Sequence, residues 1–175
     1  MSINIGIIGL GKVGKKRFEL FQEIPDVGNI SFFDPTLKSF CNTSSVPNVD
    51  TLFFDKNIDA IVICTPNKQK INLINKAFES HKHIFCEKPP VISYEEMLII
   101  ESLHQANPDI KIQFGFNHRH LSHYRALKEI VNSEIYGKPL WVRGIYGKGF
   151  DKNFFEEWRS DKTFSGGGIF FDQSK

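Results

Sequence analysis

Between Ile5 and Gly14 the chain reads Ile-Gly-Ile-Ile-Gly-Leu-Gly-Lys-Val-Gly, an apolar run closing on the spacing Gly9-x-Gly11-x-x-Gly14. Gly9 permits a tight turn. Gly11 lets the backbone come up against a pyrophosphate, and Gly14 lets a helix pack closely on a sheet. A helix opening at about Val13 would turn its free amides, those of Lys12 and Val13 among them, and its positive dipole end toward the phosphates. Asp34 ends the next apolar run, 20 residues beyond Gly14. A carboxylate there can accept the adenosine ribose hydroxyls and repels a 2′-phosphate, which favours NAD over NADP. The fingerprint by itself also admits a flavin, an S-adenosyl ligand, or a tight turn without a ligand.

No metal chemistry is expected. His81, His83, His104, His118, His120 and His123 form no metal-like pair with acidic neighbours at helical spacing. Cys41, Cys64 and Cys86 are separated by 23 and 22 residues, which fits neither a CxxC knuckle nor a dense disulfide framework. Cys64 and Cys86 fall in apolar runs, where thiols act as small hydrophobes. A reducing, cytoplasmic setting follows as the expectation.

Elements that would position the glycine motif can be read around it. Apolar runs at Ile3–Ile8, Ile30–Phe33, Ala60–Cys64, Ile84–Cys86 and Ile110–Phe116 suit parallel strands covered on both faces. Helices suit Val13–Gln22, Lys68–Ser80 and Ser93–Gln105, the last opened by a Ser93/Glu96 capping box. Pro35–Asp50 holds at most one short helix, followed by a weak strand near Thr51–Phe53. The fold class is therefore α/β: a Rossmann-type parallel sheet with helices on both faces and a ligand crevice at the carboxyl ends of the strands. It fills residues 1–120. Residues 121–175 read as a linking helix over Ser122–Ser133, a strand over Pro139–Tyr146, and an aromatic-rich loop. The chain stops after Gly166-Gly167-Gly168 and a helix start, so this part is expected to be the truncated beginning of an α+β sheet domain.

With 41% apolar and 24% charged residues, the composition is that of a globular protein, not a disordered one. The net charge is +2 and no basic run exceeds Lys15-Lys16-Arg17, which leaves nucleic acid and anionic membranes without an electrostatic footprint. Ile3 begins a strand with no basic segment before it, unlike a signal peptide or a membrane span.

At Cys64-Thr65-Pro66-Asn67, Glu87-Lys88-Pro89, Gly115-Phe116-Asn117-His118-Arg119, Trp158-Arg159 and Gly166–Asp172 the sequence resembles the glucose–fructose oxidoreductase / inositol dehydrogenase (Gfo/Idh/MocA) family. The resemblance implies a Rossmann domain joined to an open, mainly antiparallel sheet that forms the substrate face and a homo-oligomer contact. It implies hydride transfer on a carbinol carbon of a sugar, a nucleotide sugar or a cyclic polyol. Lys88 would stand beside the nicotinamide and touch the reacting oxygen, where an ammonium stabilises alkoxide character. Glu87 would contact the nicotinamide-side ribose, Lys88–Pro89 would be cis, and Thr65, Pro66 and Asn67 would lie along the cofactor. Asn117 and Arg119 resemble residues near the substrate pocket; Arg119 could equally anchor the interdomain helix by an ion pair. Trp158 belongs to the same substrate face. Asp172 resembles the carboxylate that supports a catalytic histidine, the proton carrier of the family; that histidine would be the residue after Lys175.

The sequence departs from the family pattern at Lys70 and His81, where many relatives carry histidine and glycine. The stretch Trp141–Lys152 is aromatic and basic, so Arg143 and Lys148 are candidates for contacting a substrate phosphate or for capping a sheet edge. Two rivals to an oxidoreductase stay open: a non-catalytic dinucleotide-binding sensor or scaffold, and a fragment that assembles through Phe170 and Phe171.

Overall fold

The computed structural model describes residues 2–145, 156, 158 and 160–167. Five strands, β1 (Ile3–Ile8), β2 (Val27–Phe33), β5 (Ala60–Ile63), β6 (His83–Cys86) and β7 (Ile112–Phe114), form one sheet in the order β2-β1-β5-β6-β7. Every pairing in it is parallel. Between β2 and β5 lie a small hairpin, β3 (Ser39–Phe40) with β4 (Thr43–Ser44), and α2 (Val49–Phe54). The other helices are α1 (Lys12–Gln22), α3 (Asn67–Glu79), α4 (Tyr94–Ala106), α5 (Ser122–Ser133) and the single turn α6 (Lys162–Ser165), with a 3₁₀ turn at Asn117–His120.

Alternation along the strands divides the core between the two sheet faces. Ile8, Ile61 and Ile63 join Leu52 and Phe53 of α2, Ile74, Ala77 and Phe78 of α3 and Ile100 of α4 on one side. Ile5, Ile7 and Val62 meet Phe18 of α1 and Phe32 on the other. This is the two-sided cover that continuous apolar strands require. Full burial of side chains such as Phe18, Phe32 and Phe53 contributes about 1.5–3 kcal/mol apiece. β1 lies between β2 and β5, and the chain goes from it first to β2 on one side and later to β5 on the other. The switch in direction opens a crevice between the carboxyl ends of β1 and β5.

Three expectations need correction. Thr51–Phe53 is helical: Asn48 Oδ1 accepts the Thr51 amide at 3.0 Å and caps α2, so Leu52 and Phe53 reach the core from a helix. Pro35–Asp50 contains the β3–β4 hairpin; Cys41 and Asn42 at its tip both have positive φ, 46° and 62°. What would be a further parallel strand beside β2 shrinks to one bridge between Phe32 and Ser45, with Val46 N donating to Phe32 O at 2.8 Å. Residues 139–145 are irregular, not a strand: Leu140, Trp141, Val142 and Ile145 are exposed, and no partner strand stands beside them among the described residues. Ser93 caps α4 as expected, its Oγ accepting the Glu96 amide at 3.2 Å while Glu96 reaches back to the Ile92 amide at 2.8 Å.

Candidate functional site

The glycine loop joins β1 to α1. Gly9 has φ +88°, in the left-handed region, and a Cβ there would lie 3.1 Å from the Cys64 carbonyl. A Cβ on Gly14 would fall 2.0 Å from Gly9 O, so only glycine lets α1 sit this close to the loop. Gly11 differs. A Cβ there would meet nothing within 4 Å, so the protein itself does not demand glycine; the open space lies above the start of α1. No side chain caps that helix, whose first residues Lys12 and Val13 are exposed. At the end of β5, Thr65 Oγ1 is buried with no hydrogen-bond partner among the described residues. Open space, an uncapped helix start and an orphaned hydroxyl are what a bound pyrophosphate would use.

Asp34 is 9% exposed and is engaged twice over. Its Oδ2 accepts the Leu10 amide at 2.7 Å, tying the end of β2 to the glycine loop. Its Oδ1 accepts from Thr36 N, Thr36 Oγ1 and Leu37 N at 2.9, 2.8 and 3.0 Å. Burial opposes the charge, but these hydrogen bonds outweigh it and hold the carboxyl below its ordinary value. Beside it opens a cavity of about 350 Å³ lined by Phe33, Asp34, Pro35, Lys38, Ser45, Val46 and Pro47. The cavity is within the size range of small-molecule sites.

At the other end of the crevice, Glu87 follows β6 and is buried. Its Oε1 accepts from Arg17 Nε at 2.7 Å and forms an ion pair with Arg17 Nη2. Arg17 Nη2 also donates to Asn117 Oδ1 at 3.0 Å, and its guanidinium lies over the Phe85 ring at 4.8 Å. Arg17 thus gathers α1, β6 and the 3₁₀ turn after β7. The sequence reading missed it; the available signal was a basic residue three positions beyond Gly14.

Lys88 is half-buried, and the Lys88–Pro89 bond is cis. Beneath that turn lies Lys70, 1% exposed. Its ammonium donates to Glu87 O, Lys88 O and Pro89 O at 2.9, 3.2 and 2.8 Å, and to Asn67 Oδ1 at 3.1 Å. Asn67 Nδ2 in turn donates to Ser165 O at 2.9 Å. Burial lowers Lys70 from the ordinary 10.5 to about 8. Burial, with the nearby Glu87 charge, pushes the Cys64 thiol up to about 12, and burial does the same to Cys86. Both stay protonated, as apolar packing elements.

Thr65, Pro66, Asn67, Glu87 and Lys88 therefore come together with Gly9, Gly11 and Gly14 around one crevice, and Asp34 marks its far end. Both Asn67 and Glu87 are turned to partners inside the protein. Arg119 is exposed, its guanidinium 4.8 Å from the Phe116 ring centre, and it makes no ion pair among the described residues. Arg143 lies exposed in the irregular stretch before residue 146, and Trp158 is half-buried. Asp172 and Lys148 lie outside the described residues. Among the described residues no group of three or more His, Cys, Asp or Glu side chains is placed to hold a metal ion. No helix among them is long and apolar enough to cross a membrane.

A family model described as the oxidoreductase family with an NAD-binding Rossmann fold (Gfo/Idh/MocA) matches residues 3–114. The chain belongs to this family. The family segment covers the whole sheet, from β1 through β7. Over 97% of its length the chain is 30% identical to an uncharacterized oxidoreductase, YrbE, of Bacillus subtilis, covering 50% of that protein. It is 32% identical to the glucose-6-phosphate 3-dehydrogenase of the same organism, across 82% of this chain and 42% of that one. The crystal structure of scyllo-inositol dehydrogenase from Lactobacillus casei, with NAD(H) and scyllo-inositol bound, is similar at a TM-score of 0.69 and 25% identity. That likeness covers 77% of this chain and 42% of the other. The chain thus spans about half the length, or less, of the relatives it matches.

Proposed function

We propose that the complete protein transfers a hydride between NAD(H) and a secondary alcohol carbon of a sugar, a nucleotide sugar or a cyclic polyol. The observation that carries this reading is the crevice itself. Gly11 stands under open space at an uncapped helix start, with Lys88 at the same carboxyl end of the sheet and Asp34 at the far end of the crevice. The relatives named for glucose 6-phosphate and inositol support the alcohol class.

The residues divide the work along the crevice. Gly9 and Gly14 shape the loop, and Gly11 with the amides of Lys12 and Val13 receives the pyrophosphate. Asp34 takes the adenosine ribose and favours NAD over NADP. Its Oδ2 accepts a single hydrogen bond within the protein, leaving room for a hydroxyl. Thr65, Pro66 and Asn67 line the cofactor, with the Thr65 hydroxyl as the group in want of a partner. Nicotinamide, when bound, supplies the hydride acceptor. Glu87 braces that end through Arg17 and stands near the second ribose. Lys88 orients the carbinol oxygen and stabilises its developing charge. Asp172, with a histidine supplied by the following segment, moves the proton. Asn117, Arg119, Arg143 and Trp158 face the substrate, and residues 121–175 begin the domain that closes over it and carries the homo-oligomer contact. The cytoplasm is the setting we assign.

Fluorescence titration with NADH, run beside NADPH, tests the cofactor reading. Saturable binding with NADH tighter is expected. A folded sample that binds neither would displace the enzyme reading in favour of a scaffold.

A further inference from the structure

A lysine ammonium has three protons to donate, and in Lys70 they are directed at four oxygens, none of them ionised. Taking a charge out of water without a counter-charge costs several kcal/mol unless the surroundings solvate it closely. Here the solvating shell is the backbone of one turn: three successive carbonyls, of Glu87, Lys88 and Pro89. An apolar side chain at position 70 could fill the volume but would take the ammonium away from all three carbonyls, and a shorter donor could not reach all three. The backbone of Lys88 is therefore held at its own carbonyl and at those on either side of it.

We propose that Lys70 is the positioning residue for Lys88, fixing the Glu87-Lys88-Pro89 turn from beneath and linking it through Asn67 to the segment that carries Ser165. The proposal rests on the oxidoreductase reading for what Lys88 does; the clamp itself is a property of this chain. Asn67 is one helical turn before Lys70 on α3, so both side chains leave the helix on the same side. The Asn67 amide uses its oxygen for the ammonium and its nitrogen for Ser165 O, 98 residues distant. Seating of 161–167 against α3 is thereby felt at the turn that carries Lys88. The titratable groups facing the ammonium are Cys86 of β6, Glu87 and Lys88 of the turn, and Cys64 just after β5. Loss of one proton leaves two donors for four oxygens and aims a lone pair at one of them, so the turn should loosen in mildly alkaline solution.

The clamp can be tested without any substrate. Carbonyl ¹³C shifts of Glu87, Lys88 and Pro89 should titrate together with a midpoint near pH 8 in the wild type and lose that titration in Lys70→Met and Lys70→Arg. Folded wild-type protein without such a titration, or the same titration in Lys70→Met, would overturn the proposal. In the complete protein, with NAD and myo-inositol as the probe alcohol, Lys70→Met should lower turnover at least about tenfold (~1.4 kcal/mol in the barrier). Its NADH affinity should stay within about threefold, and Lys70→Arg should recover part of the turnover. Equal losses of turnover and NADH affinity would reduce Lys70 to a structural role and defeat the assignment. If the wild type leaves myo-inositol untouched, that probe alcohol is not its substrate, and the carbonyl titration still decides the clamp.

Discussion

Arg17 on α1 and Glu87 after β6, 70 residues apart, share a part-buried ion pair in which Arg17 Nε donates to Glu87 Oε1 at 2.7 Å. The glycine-loop helix is thus locked to the turn that carries Lys88. A Cβ on Gly115 would lie 2.7 Å from Glu87 Oε2, so the strand end beyond is shaped to the same carboxylate. Arg17→Met would strand that charge in a buried site, and a loss of about 3 kcal/mol in unfolding free energy is expected. Urea denaturation measures it. The double variant Arg17→Met/Glu87→Gln should lose less, and a single variant as stable as the wild type would contradict the brace.

Two glycines in one loop should respond in opposite ways. Gly14→Ala drives a Cβ to 2.0 Å from Gly9 O and should cost at least about 2 kcal/mol of stability. Gly11→Ala meets nothing within 4 Å, so its stability should stay within about 0.5 kcal/mol of the wild type. Its NADH dissociation constant should nonetheless rise at least about tenfold, because the methyl group would take up the space we assign to the pyrophosphate. Unaltered NADH affinity in Gly11→Ala would place the cofactor elsewhere.

Asp34 couples the crevice to acid stability. Its folded carboxyl titrates below the ordinary 3.8, so its contribution is fully present above that pH and disappears as pH falls through the folded value. The stability difference between wild type and Asp34→Asn should be constant near neutrality and shrink below about pH 4. The same variant should narrow the preference for NADH over NADPH that we propose, since the repelling charge is gone while Lys38 remains in the cavity wall. Parallel titrations of the two cofactors read this directly.

Lys70 acts in the alkaline range with a dependence of the same sign, stability rising with pH, but there because a buried charge is removed. Its proton leaves at about 8 in the folded chain and at the ordinary 10.5 when unfolded. Burial of the charge therefore costs stability at neutral pH, and that cost fades as pH rises between these values. Wild-type stability measured against Lys70→Met should increase by about 3 kcal/mol across that window. A flat difference would mean that the ammonium does not titrate there.

The sheet was legible because its strands are short continuous apolar runs, and all five lie where those runs occur, β1 matching at both ends and the others with at least one end shifted by one to three residues. The glycine loop was legible because Gly9 and Gly14 are steric necessities. Thr51–Phe53 misled because a run as short as Thr-Leu-Phe fits either a strand or one helical turn, and the deciding group, the Asn48 cap, lies outside the run. Lys70 could be noted as a departure from the family, but its clamp depends on β6 and α3 lying side by side, a juxtaposition no local pattern encodes. Arg17 was hidden for the same reason: both its partners lie at least 70 residues away.

The hairpin tip offers a practical handle. With the Cys64 and Cys86 thiols pushed up to about 12 and packed into the sheet, Cys41 alone is exposed for alkylation. A maleimide dye should therefore attach at a single point, three residues along the chain from Lys38 in the wall of the cavity beside Asp34. The unmodified sequence thus carries its own attachment point for an optical reporter of events at the adenosine end.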